Sequence, residues 1–161
     1  MGTKARSGRV RGAGSRPGGC TLSTSRTWPA TRGRVSGRSA RRWGLYTACL
    51  VFGAMDQVEV ASSHLTLLNA ALGWPHARYR VRSGPDGADL ALLDVLRHEN
   101  VATRFTHVAI GSGDHLFAEV AAHLAAQGVW VTVVSRRRSL SPRLALAARE
   151  VIFLDAAAEA A

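Results

Sequence analysis

No aspartate or glutamate occurs before Asp56. Residues 1–55 hold 11 of the 21 Lys and Arg, so the net charge of +10 comes from that third of the chain and the remainder is close to neutral. Cysteine is equally sparse. Cys20 and Cys49 stand alone, with no CxxC and no Cys/His cluster, which speaks against a structural zinc module and against a disulfide framework. Two isolated thiols fit a reduced, cytoplasmic protein. Long apolar runs are missing too. The apolar stretch 44–55 is about twelve residues, short of the ~20 that a bilayer-spanning helix needs. No apolar core of a secretory signal stands near the start. These gaps argue against a membrane protein and a secreted one.

What is present divides in two. Residues 1–43 are rich in Arg, Gly, Ser and Thr, with few large apolar side chains. Such a stretch buries too little apolar area to offset its ordering entropy, so it reads as a disordered basic segment. Four explanations compete for it: an arm for phosphate backbones, a transit peptide, a spacer, or the product of a wrong start site or a disrupted frame. Residues 44–155 read as one folded domain, and residues 156–161 as a short tail.

Within the domain, short β-like runs alternate with helical patterns. Residues 58–61 form the first strand, and Ser62 or Ser63 caps a helix through about Leu72. Strand 79–82 alternates Tyr79, Arg80, Val81 and Arg82, and a turn at 83–87 leads to helix 88–98. Strand 106–111 and helix 114–127 follow, with Gly128 at the helix C′ position. Strand 129–134 is apolar apart from Thr132, as a central parallel strand should be. Pro142 opens another helix, and residues 151–154 form the last strand. This order predicts a three-layer, Rossmann-like α/β domain with a mainly parallel sheet. Ligands of such sheets sit at the C-terminal strand edge, where Asp89, Asp114 and the 135–138 stretch should gather.

The turn Gly111-Ser112-Gly113-Asp114 admits two chemistries. Gly111 and Gly113 are the first two glycines of G-x-G-x-x-G, and Arg136-Arg137-Arg138 follows the next strand, where an NADP 2′-phosphate finds arginine. Phe117 replaces the third glycine, however. Asp114 also puts a carboxylate where a pyrophosphate would need free N–H groups and a positive helix end. The other chemistry uses that carboxylate. A hard cation such as Mg²⁺ takes carboxylate oxygens and water, and Asp89 is the natural partner, with Asp86 in the preceding loop. Asp94, about 140° further round the helix from Asp89, need not share its face.

The segments "GADLALLDVL", "HVAIGSGDHLFAEVAAHLAAQGVWVTVVS" and "SLSPRLALAAREVIFLD" resemble the NYN domain, a branch of the PIN-like nucleases. The resemblance covers residues 56–155 and is most specific at 112–117. It implies a PIN-like fold and a metal-dependent ribonuclease ancestry, with Mg²⁺ or Mn²⁺ as cofactor and RNA as partner. By motif position it implies Asp89 and Asp114 as catalytic, metal-binding carboxylates. Ser112, Arg136 and Arg137 are the expected substrate contacts. Two departures stand out. Leu116 occupies a position where the family commonly has a second Asp, and no acid is available to end a first strand. Either that strand is missing or residues 47–53 replace it. The expectation is a ribonuclease-like domain with weak or absent activity. A non-catalytic RNA-binding module and an NADP-binding oxidoreductase are the alternatives, and homo-oligomerisation is left open.

Plainer roles compete with each of these. Asp114 is also a good N-cap, Asp89 a good first-turn acid, and Asp86 a good turn residue. Arg136–Arg138 is also a solvated loop. Arg78, Arg80 and Arg82 read as the exposed face of an edge strand. His115 reads as a surface residue, and Trp74 and Trp130 as packing residues.

Overall fold

Short β-branched runs separated by helix-length segments need cover on both faces, and parallel pairing supplies it through crossover helices. The computed structural model describes residues 19–24 and 56–154. Its strands are β1 (Gly19–Thr24), β2 (Gln57–Ser62), β3 (Arg78–Val81), β4 (His107–Gly111), β5 (Trp130–Ser135) and β6 (Glu150–Phe153). Its helices are α1 (Leu67–Gly73), α2 (Gly87–His98), α3 (Val101–Arg104), α4 (Ala118–Ala126) and α5 (Pro142–Ala147). The strands form one sheet in the order β3-β2-β1-β4-β5-β6, and every neighbouring pair is parallel. The α/β class with a parallel sheet is therefore as expected, and the order is that of the doubly wound dinucleotide folds.

One expectation fails at the centre of the sheet. Gly19–Thr24, inside the segment read as disordered, is a strand paired on both sides, with β2 and with β4. A first strand is present, and it lies well before the substitute expected at 47–53, which falls outside the described residues. So does the rest of segment 1–43.

Right-handed crossovers put connections running towards β3 and those running towards β6 on opposite faces. On one face Val108, Ile110, Val131 and Val133 pack against Leu92 and Leu96 of α2, Val120 and Leu124 of α4, and Leu144 of α5. On the other, Val60, Val134 and Leu154 pack with Ala70 of α1 and with Trp74. Each such aliphatic side chain contributes about 1.5–3 kcal/mol by leaving water. Helix α4 ends as its sequence predicts. Gly128 adopts φ 86°, and the N–H groups of Gly128 and Val129 donate to Ala125 and Leu124 carbonyls, a Schellman closure. Helix α1 starts later than its serines suggest. Ser62 Oγ and Ser63 Oγ bond the hydroxyl of Thr66, at 2.7 and 3.0 Å, and Thr66 is the N-cap residue.

Strand β3 is an edge strand, but its arginines do not form a free basic face. Arg78 and Arg80 both reach Glu59 on β2, at 3.2 and 2.9 Å, and Arg80 also pairs with Glu99. Arg82 pairs with Asp94 at 3.3 Å. Glu59 is fully buried, and a buried carboxylate needs such partners. Its hydrogen bond to Arg80 is the main cause that raises the guanidinium pKa above its ordinary value.

Candidate functional site

The switch point of this sheet lies between β1 and β4, whose connections leave in opposite directions. At their C-terminal ends, Ser23 of β1 is in register with Gly111 of β4 and with Val60 of β2. The turn that follows β4 is tightly built. Ser112 is buried, and its Oγ accepts the Asp114 N–H at 3.1 Å. Asp114 stays extended and caps the 3₁₀ turn His115–Phe117, its Oδ1 accepting the Leu116 N–H at 3.0 Å. The same oxygen lies 3.0 Å from His115 Nδ1. Phe117, where a third glycine would stand, is fully buried in the main core.

Gly113 is required by the protein's own chain. A Cβ there would collide with the Ser139 carbonyl and with Ser135 Oγ, and Ser141 N–H donates to the Gly113 carbonyl at 2.8 Å. The loop after β5 thus lies against the turn that a dinucleotide would have to approach. Together with the Asp114 carboxylate, this is the structural argument against a pyrophosphate here.

Asp89, in the first turn of α2, is only 1% exposed. Helix α2 packs over β1, β2 and β3, so its N-terminal turn and the Asp114 turn share one edge of the sheet. Asp86 takes the N-cap position in a left-handed conformation, φ 53°, as a turn residue would. Asp94 is engaged by Arg82. Arg136 and Arg137 follow β5 at this edge; Arg136 is half-buried, and the Arg137 guanidinium stacks 4.2 Å above the Phe153 ring.

The expected cation does not find a full set of ligands in these residues. Among the described residues, no three His, Cys, Asp or Glu side chains come together as a metal group. One oxygen of Asp114 already serves a backbone N–H and His115. Strand β1 ends in Ser23 and Thr24, so the strand is restored without an acid. Leu116 is packed against the core. Hard divalent cations prefer several carboxylate oxygens, and this donor set does not fit them.

No family model matches the sequence. No curated protein matches it either. A crystal structure of a protein of unknown function from Vibrio parahaemolyticus is similar, at 14% identity and a TM-score of 0.61, covering 91% of this chain and 98% of the other. That likeness extends to the fold alone. No helix among the described residues is long and apolar enough to cross a membrane.

One buried residue escaped the sequence reading. Glu59 carried no signal, because a single acid in an apolar strand looks like a solvent-facing position. His115 is 65% exposed, as its surface reading expects, and its ring also lies within hydrogen-bond distance of Asp114.

Proposed function

We propose that this chain is a PIN-like domain of metal-dependent ribonuclease ancestry whose acidic edge is incomplete, acting on RNA with weak hydrolysis or none. The observation that carries this reading is the Ser112-Gly113-Asp114 turn. It ends the strand beside β1 in a 3-2-1-4-5-6 sheet, on the edge that also holds Asp89. Relatives with a full set of acids would use Mg²⁺ or Mn²⁺ there. In this chain the acid at the end of β1 and the one at Leu116 are absent, which supports retained binding over efficient cleavage.

The test is cleavage of single-stranded RNA by the purified chain with and without Mn²⁺. The expected result is little cleavage, dependent on Mn²⁺ and lost in Asp114→Asn. Robust cleavage that survives Asp114→Asn overturns the assignment.

A further inference from the structure

The face of the sheet that holds α2, α4 and α5 carries an open apolar groove of about 720 Å³. The three connections that cover this face, from β3 to β4, β4 to β5 and β5 to β6, consist entirely of described residues. Helix α4 touches both α2 and α5 and lies between them. Apart from Glu119, it lines the groove with Ala118 and Ala122, and side chains this small leave a hollow. Leu90 and Leu93 of α2 form one wall, and Leu146 of α5 stands on the other. Leu146 is 88% exposed, a large aliphatic side chain left in water beside an apolar hollow.

The groove carries charges of both signs, placed on opposite sides. Glu119 leans towards α2, where Arg97 Nη2 lies 3.6 Å from its carboxylate. That pair is long and solvated and contributes little. Arg143 stands on the α5 side, is exposed and makes no ion pair among the described residues. Helices α4 and α5 both start at the C-terminal edge of a parallel sheet, so they run the same way. Glu119 is the second residue of α4 and Arg143 the second of α5, and Ala122 and Leu146 are each the fifth. Each of these pairs therefore stands at about one level along the groove.

We propose that this groove is the interface of a homodimer, its occupant a second copy of the chain. A two-fold axis running along α4 lays α2 of each copy over α5 of the other and leaves levels along the groove unchanged. Leu146 then enters the hollow beside Ala122 of the partner subunit, and Arg143 meets Glu119 of the partner subunit. An isologous contact must satisfy both copies at once. A knob and a hollow, and a cation and an anion, on opposite sides of one axis do so. An acidic helix from another protein would answer the cations alone and leave Glu119 against like charge. The face is three short helices wide, so the interface belongs to the small class, under about 1,200 Å² in total, and the dimer dissociates on dilution. It needs neither RNA nor a metal, so it stands or falls separately from the nuclease reading.

Sedimentation equilibrium of the full chain over a wide range of concentration tests it. The unaltered chain should pass from monomer to dimer. Leu146→Glu, at an exposed position, should keep the chain monomeric throughout. Glu119→Arg and Arg143→Glu should each weaken the dimer about tenfold, since a two-fold axis makes every reversal act twice. An equimolar mixture of those two variants should recover the dimer, because each copy then supplies the charge that the other lacks. A chain that stays monomeric at every concentration overturns the proposal. So does a dimer that survives Leu146→Glu in a folded protein, or a mixture of the two charge variants that dissociates as each does alone. Should Leu146→Glu fail to fold, the mixture decides the matter.

Discussion

Glu59 sits in an apolar strand with no water to solvate it, and its charge is balanced by Arg78 and Arg80. Removing the charge strands those arginines beside a neutral group. They are half-exposed and can rehydrate, so Glu59→Gln should cost about 2 kcal/mol, below the ~3–5 typical when both partners are buried. A lower urea midpoint at unchanged slope would show it; an unchanged midpoint would mean that the arginines lose nothing. Tyr79 gives a second handle. Its hydroxyl donates to the Trp74 carbonyl, and burial raises its pKa above the ordinary 10.0. The unfolded chain therefore loses its phenolic proton first. The stabilisation is complete below the ordinary value and is lost as pH rises through the raised one. Tyr79→Phe should remove this component, leaving a urea midpoint that falls less steeply above about pH 10. A decline as steep as that of the unaltered chain would assign the effect to other groups.

Strand β1 shows why an element can be invisible in composition. Its six residues, GCTLST, include one large aliphatic side chain, and they sit in a segment dominated by Arg, Gly and Ser. A central strand is held by two ladders of backbone hydrogen bonds, which any residue except proline can make. Leu22→Pro should therefore abolish the cooperative thermal transition of the whole domain, since it breaks a ladder to β2 or to β4 at the middle of the sheet. A normal transition in that variant would remove β1 from the folding unit. Elements after Asp56 behaved differently. Strands β4 and β5 and helix α2 were legible within a residue or two, because alternation, helical spacing and turn chemistry agreed there. Helix α3, a single turn of four residues, was too short to show a period and was missed.

At the scale of the whole molecule, charge is segregated. The first 55 residues carry no acid, while Asp89 and Asp114 occupy the C-terminal edge of the sheet. RNA affinity should fall steeply with salt, through release of counterions from phosphates. Deleting residues 1–18 should weaken binding and flatten that salt slope. An unchanged slope would exclude those residues from RNA contact. The deletion must stop before Gly19, because a longer one also removes the central strand.

The sequence by itself determined the α/β class, the parallel sheet after Asp56, and the turn chemistry at Gly111–Asp114 and Gly128. Those features follow from local periodicity and from φ preferences, which neighbouring residues encode. Asp114 was also legible as a cap, since its side chain bonds a backbone two residues away. Only the tertiary structure decided the rest. Gly19–Thr24 gains its place from pairing with strands far away in sequence. Glu59 is buried because Arg78 and Arg80 approach from the next strand, and Gly113 is needed because Ser139 packs against it. His107 stacks on Trp130 and Arg149 lies over the same ring because β4, β5 and β6 start side by side. In each case the deciding partner is distant in the chain, and a linear pattern carries no record of such contacts.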